Sequence, residues 1–266
     1  MIQKTEISPE EQRKYLETGF IRLSHVLNGN ALHHFADQLR LIMKALDPNT
    51  VPMEERSTYK RAFTQVTNLW QKHDVVREFV FNSGLARLAA QIMGVDGVRL
   101  YHDQALFKEI GGGATPWHVD QVYWPLDTVN TCTFWIPLQK TSLDMGPLTF
   151  AAGSHLITDG RDMVISKESE AFYASFVEKM KLVVDRKPYE LGDLSIHSGW
   201  TVHSAGPNLS ALPREVMTII YMAEDSRLLQ HPTPTQLIDR DAFIPGGQPG
   251  QVATTELNPV LYTKNS

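Results

Sequence analysis

A chain of 266 residues is long for an average domain, yet all-β barrels and sandwiches with helical decoration reach this size as single units. With 42% hydrophobic and 21% charged residues and no low-complexity tract, the composition is that of an ordinary globular protein and excludes a disordered chain. A net charge of -5 without a Lys/Arg cluster excludes the electrostatic footprint of a nucleic-acid or anionic-membrane binder, so a small molecule is the expected partner.

The elements follow in chain order. Ser8, Pro9 and Glu11 have the spacing of a capping box with proline at the first helical position, so a helix is expected over "SPEEQRKYLETG", stopping near Gly19. A second helix carries the apolar stripe Leu32, Phe35, Leu39, Ile42 and Leu46 and ends at Asp47-Pro48. A third runs through "SGLARLAAQIMG", with Ser83 as cap, Leu85, Leu88 and Ile92 on one face, and Gly94 as stop. After Gly97 the pattern changes to short β-rich runs, among them "VRLYHDQALFKE", "TCTFWIPLQ", "GDLSIHSG" and "VMTIIYMA". One helical insertion is expected in "SKESEAFYASFVEKMKL", where Phe172, Phe176 and Met180 recur every four residues. Residues 224 to 266, with "IPGGQPGQ" near their middle, read as irregular.

Three amphipathic helices without a complete core of their own need a sheet to cover. The expected fold is therefore mainly β with flanking α: a jelly roll buttressed by N-terminal helices, in one domain over 1–266. Within it, 1–96 is helical support and 97–223 the jelly-roll core. The single cysteine, Cys132, cannot form an internal disulfide, and the N-terminus lacks the apolar stretch of a signal peptide, so a cytoplasmic protein is expected.

Chemistry concentrates in "PWHVDQVYWP". Residues i and i+2 of a strand share a face, so His118 and Asp120 can converge on one ion with Val119 packed behind. Two ligands hold a metal weakly, and a third must come from elsewhere. Two histidines and one carboxylate on one side of an ion form the facial triad of non-haem Fe(II) oxygenases. Among the other histidines His203, in "TVHSAGPN", stands out, because Arg214 opens an apolar strand eleven residues later. An arginine fork matches the far carboxylate of an oxo-diacid. His197 is the spare ligand candidate, while His25, His33, His34, His73, His155 and His231 read as structural. Gly111, Gly112 and Gly113 could form a flexible rim; no Walker or Rossmann spacing follows them.

The ordered set of "WHVD", "TVHSAGPN" and the arginine beyond resembles the phytanoyl-CoA dioxygenase-like family of Fe(II)/2-oxoglutarate-dependent oxygenases. "GPLTFAAGSH" and "GDLSIHSG" look like family segments too, and the resemblance covers roughly residues 97 to 223. It implies a double-stranded β-helix, cupin-like, in which His118, Asp120 and His203 bind Fe(II) and Arg214 pairs with the C5 carboxylate of 2-oxoglutarate. By the same resemblance Trp135 stands near the cosubstrate. Gln104 and Thr115 could contact it or order the ligands, and Ser204 follows the distal histidine where some relatives carry a serine one place later. Tyr123 and Trp124 could line the substrate mouth.

The implied activity is oxidation of a C–H bond of a small organic substrate by O2, with release of succinate and CO2. Relatives that chlorinate carry a small residue at the carboxylate position, so Asp120 favours hydroxylation over halogenation. Two alternatives stand beside this. A metal enzyme of another class on a cupin-like barrel would use the triad but not Arg214, and a silent binding protein would have lost a ligand or the arginine.

Overall fold

The computed structural model describes residues 1–46, 55 and 62–264. Ser8 Oγ accepts from the Glu11 backbone N–H at 3.2 Å and the Glu11 carboxylate accepts from the Ser8 N–H at 2.8 Å, so the capping box opens helix α1 (Pro9–Thr18) as expected. Gly19 closes it at φ 84°, a left-handed conformation that costs glycine nothing. A short strand missed in the sequence, β1 (Phe20–Leu23), intervenes before helix α2 (Gly29–Leu46). The buried stripe of α2 is Leu32, Phe35, Ala36, Leu39 and Met43, which leaves Ile42 half-buried and Leu46 exposed. The expected stop at Asp47-Pro48 lies outside the described residues.

Strand β2 (Thr64–Thr67) and a short helix α3 (Asp74–Val80) were not legible in advance. Helix α4 (Ser83–Met93) buries Leu85, Leu88 and Ile92 and ends at Gly94 in the left-handed region. Its cap is Asn82 rather than Ser83, which is already helical; Asn82 Oδ1 accepts from Gly84 and Leu85 N–H at 3.1 and 3.2 Å.

The strands that follow are β3 (Gly97–Lys108), β4 (Thr115–His118), β5 (Thr131–Pro137), β6 (Leu148–Ala151), β7 (Val184–Arg186), β8 (Leu194–Ser198), β9 (His203–Ala205), β10 (Arg214–Ala223) and β11 (Val260–Thr263). They form two antiparallel sheets. The larger runs β1-β8-β5-β10-β3-β11, with β2 also on β3, and the smaller runs β4-β9-β6-β7. Phe20, Trp135 and Val216 from the first meet Leu148, Phe150 and Ala205 from the second in one apolar cluster, so the sheets face each other as a jelly roll. Among the described residues no strand belongs to both sheets, and the barrel stays open.

Alternation along β5 explains its unbroken apolar run. Cys132, Phe134 and Ile136 point outward into the large core beneath α2, α3 and α4, whereas Thr133 and Trp135 point into the space between the sheets. Residues 1–96 are thus more than helical support, since β1 and β2 extend the large sheet.

Two further expectations need correction. Helix α5 (Lys167–Lys179) buries Tyr173 and Val177, not the Phe172, Phe176, Met180 stripe; Met180 is exposed. The C-terminal segment is not irregular throughout. It holds helix α6 (Pro234–Phe243), opened by a capping box between Thr233 and Gln236, and β11. No described helix is long and apolar enough to cross a membrane.

Candidate metal centre

His118 ends β4 and His203 begins β9, and the two are directly opposed in the register of the small sheet. Antiparallel pairing therefore brings together imidazoles far apart in sequence, their ring centroids 4.2 Å apart. Asp120 lies beyond the strand end, in a turn fixed by the Asp120 and Gln121 N–H groups donating to Gly199 O at 3.0 and 2.9 Å. Its side chain does turn to the same side as His118 with Val119 buried behind, but through this turn rather than by strand alternation.

The Nε2 atoms of His118 and His203 each lie 3.6 Å from Asp120 Oδ1. One ligand atom from each of the three residues falls within 4.8 Å of the others, the reach of a single ion. Each histidine donates its Nδ1–H to a backbone carbonyl two residues earlier, His118 to Pro116 at 2.7 Å and His203 to Thr201 at 2.9 Å. That fixes the tautomer and leaves both Nε2 lone pairs aimed at a common point. Burial, reinforced by neighbouring His118, holds His203 well below the usual imidazole range, so it is neutral. Burial alone would raise the Asp120 carboxyl, but the surrounding imidazoles hold it well below the usual carboxylate range. An anionic carboxylate and a neutral imidazole are the protonation states a metal requires.

Sequence reasoning gave His197 only a spare role, and the structure gives it a definite position. Its Nε2 lies 3.2 Å from Asp120 Oδ2, where Thr133 Oγ1 also donates at 3.2 Å. One carboxylate oxygen thus faces the histidine pair while the other is held by the protein.

These groups line a cavity of about 580 Å³ that also receives Trp135, Gln104, Thr115, Tyr123, Trp124 and Arg214. Arg214 is 2% exposed; its Nη1 donates to Gly146 O at 2.7 Å and its guanidinium lies over the Trp135 ring at 5.3 Å. Its Nε has no partner, and no carboxylate pairs with it among the described residues. Gly146 presents that carbonyl at φ 68°, packed so closely on Gly206 that a Cβ would collide with its backbone. Trp135, also against Tyr189 at 4.9 Å, serves core and cavity together. The Gln104 side chain accepts from Gln65, and Tyr123 Oη accepts from the Ile165 N–H at 2.7 Å.

Two candidates fall elsewhere. Ser204 points away, into a neighbouring cavity, because alternation on β9 sends His203 and Ala205 toward the centre and the residue between them to the opposite side. The Gly111–Gly113 loop is not a free rim. It is tied by the Gly111 N–H to Asn208 O at 3.0 Å, by the Asn208 N–H to Gly112 O at 2.9 Å, and by Lys108 Nζ to Gly113 O at 2.5 Å.

Lys108 is fully buried, opposite Arg214 in the β3–β10 register, and it also donates to Gly206 O at 2.9 Å. Burial, then the Arg214 charge, pull its pKa down from 10.5 to about 6, so Arg214 carries the one positive charge there at neutral pH. Between those values the unfolded chain binds a proton that the native state does not, so stability rises with pH across that window. Chemical denaturation is expected to show wild type gaining roughly 1–2 kcal/mol between pH 7 and pH 9 beyond any gain in Lys108→Met. Identical pH profiles for the two proteins would show that Lys108 is protonated in the native state.

Two imidazoles and one carboxylate gathered on one side of a point, inside a jelly roll, have the donor set and placement of a non-haem facial triad. The chain belongs to the phytanoyl-CoA dioxygenase (PhyH) family, whose model matches residues 15–216. It is 24% identical over 230 residues to a probable alpha-ketoglutarate-dependent hypophosphite dioxygenase of Stutzerimonas stutzeri, covering 82% of this chain and 79% of that protein. Its fold is similar to that of the non-haem alpha-ketoglutarate-dependent carbocyclase SnoK from nogalamycin biosynthesis, with TM-score 0.79 and 23% identity over 96% of this chain and 97% of SnoK. The epimerase SnoN, solved with Fe3+, alpha-ketoglutarate and nogalamycin RO, matches with TM-score 0.78 and 22% identity over 94% and 97%. EctD from S. alaskensis, solved with 2-oxoglutarate and 5-hydroxyectoine, matches with TM-score 0.69 and 18% identity over 94% and 87%.

Proposed function

We propose that this protein is an Fe(II)/2-oxoglutarate-dependent dioxygenase, built as one oxygenase domain, that hydroxylates a C–H bond of a small organic substrate. The observation carrying this reading is the convergence of His118, Asp120 and His203 in the same cavity as a buried, carboxylate-free Arg214. The residues fit both groups. Two imidazoles and an anionic oxygen are a ferrous donor set, and the unpartnered guanidinium suits the C5 carboxylate of 2-oxoglutarate. A metal enzyme without the keto-acid would leave that buried cation unexplained.

When bound, iron and 2-oxoglutarate supply the oxidation, which couples conversion of the keto-acid and O2 into succinate and CO2 to attack on the nearest C–H bond. The chain's own work is placement. His118 and His203, oriented by their carbonyl partners, and Asp120, steadied by His197 and Thr133, hold three positions and leave the opposite side open. Arg214, over the Trp135 ring, sets the direction of the keto-acid, and Thr115 and Gln104 add polar contacts along it. Tyr123 and Trp124 wall the side left for substrate. Asp120 favours hydroxylation over halogenation, since a halide would need its position.

Anaerobic titration of Fe(II) and 2-oxoglutarate into the apo-protein should produce the weak visible charge-transfer band of a keto-acid chelated to ferrous iron. The band should vanish in His118→Ala. A wild-type protein that binds iron yet never develops the band would sink the 2-oxoglutarate reading and favour the other metal enzyme.

A further inference from the structure

Across the same cavity stands a carboxylate that the iron chemistry does not use. Asp239, on α6, accepts a hydrogen bond from Tyr101 Oη through its Oδ2, while its Oδ1 has no hydrogen-bond partner among the described residues. No described lysine, arginine or histidine comes within ion-pair distance of it. Aromatic rings gather about its Tyr101 partner on this side of the cavity. Trp124 and Phe243 flank Tyr101 at 5.4 and 5.8 Å between centroids, and His102 stacks on Phe243 at 4.0 Å. His102 adds no positive charge, because burial pulls its pKa down to about 4.

The charges of the loaded centre then leave Asp239 uncompensated. The doubly positive iron and the single charge of Arg214 are balanced by Asp120 and the doubly negative keto-acid, and Lys108 is neutral beside Arg214. Burial, opposed by the Tyr101 hydrogen bond and reinforced by Asp120, raises the Asp239 pKa from 3.8 to about 7, so a cation placed beside it would favour the ionised form. Aromatic faces around a carboxylate favour a cation over a neutral group of the same shape, and they disfavour an anion outright.

Resting on the dioxygenase reading above, we propose that Asp239 reads substrate charge: it pairs with a cationic nitrogen, and the substrate is a small organic ammonium compound. The C-terminal helix is thereby a specificity element, delivering one carboxylate and Phe243 to a site otherwise built by the sheets.

The test uses the anaerobic Fe(II)/2-oxoglutarate complex of wild type, Asp239→Asn and Tyr101→Phe, titrated with n-hexylammonium, 1-hexanol and hexanoate. Thermal midpoints and perturbation of the charge-transfer band are the readouts. In wild type, hexylammonium should bind at least about tenfold tighter than hexanol, the scale of one hydrogen bond to a charged group, with hexanoate weakest. Asp239→Asn should erase the preference and keep the band, and Tyr101→Phe should reduce it. Equal binding of the three probes, no binding of hexylammonium, or a preference that survives in Asp239→Asn would overturn the proposal. Absence of the band in all three proteins would strike the dioxygenase reading instead, because the thermal midpoints report ammonium binding without it.

Discussion

Replacing Arg214 with methionine raises the KM for 2-oxoglutarate by at least about 100-fold and leaves the folded protein nearly as stable as wild type. The two halves of this expectation have one cause. Arg214 is a buried cation with a single carbonyl partner and an orphaned Nε, and burial lowers even its guanidinium pKa to about 10. The free protein therefore bears a desolvation cost that an apolar side chain of similar length does not. The keto-acid, in contrast, would place its far carboxylate against the Trp135 ring with no cation to meet it. Stranding one charge of a buried pair costs about 3–5 kcal/mol, and about 1.4 kcal/mol is a tenfold change in affinity. Arg214→Lys should fall between, because it keeps the charge but loses the planar fork. Steady-state kinetics with varied 2-oxoglutarate and thermal unfolding check both halves. An unchanged KM would remove Arg214 from the cosubstrate site, and a collapse of folding would show that Gly146 and Trp135 need it structurally.

Those parts of the fold carried by local physics were legible. The capping box at Ser8, the glycine stops at Gly19 and Gly94, and the β-rich runs of β3, β5, β8 and β10 announce themselves within a few residues. The His-x-Asp pair and distal histidine could be picked out as a candidate set because a metal demands particular side chains at fixed intervals, and the fold brings the three together. What stayed hidden depends on partners distant in sequence. β1 has only four residues, and what makes it a strand is its pairing with β8, residues 194 to 197. β2 and β11 likewise are strands because β3 offers them an edge. Ser204 was misplaced for a simpler reason. Adjacent residues on a strand face opposite ways, so its closeness to His203 in sequence argued against a shared cavity. In the C-terminal segment the glycines and prolines outweighed a signal that was present, the Thr233, Pro234, Gln236 cap of α6. With that helix went Asp239 and Phe243, whose place in the cavity only the assembled fold reveals.

Loss of Asp120 is expected to have the largest effect of all. Asp120→Ala removes the carboxylate of the proposed triad and leaves only the His118 and His203 imidazoles, so Fe(II) affinity should fall by roughly 100-fold or more and succinate formation below detection. His197→Gln should produce a smaller loss of about 10–100-fold in metal affinity, the range seen when the partner of a ligand is removed. The geometry makes these two effects dependent. His197 meets Asp120 through Oδ2 at 3.2 Å, whereas His118 and His203 face Oδ1. In a double-mutant cycle, His197→Gln should therefore weaken iron binding in wild type and change nothing further in Asp120→Ala. Losses that simply add would mean that His197 meets the ion itself, and the centre would then hold three histidines and one carboxylate with one open position fewer for substrate oxidation.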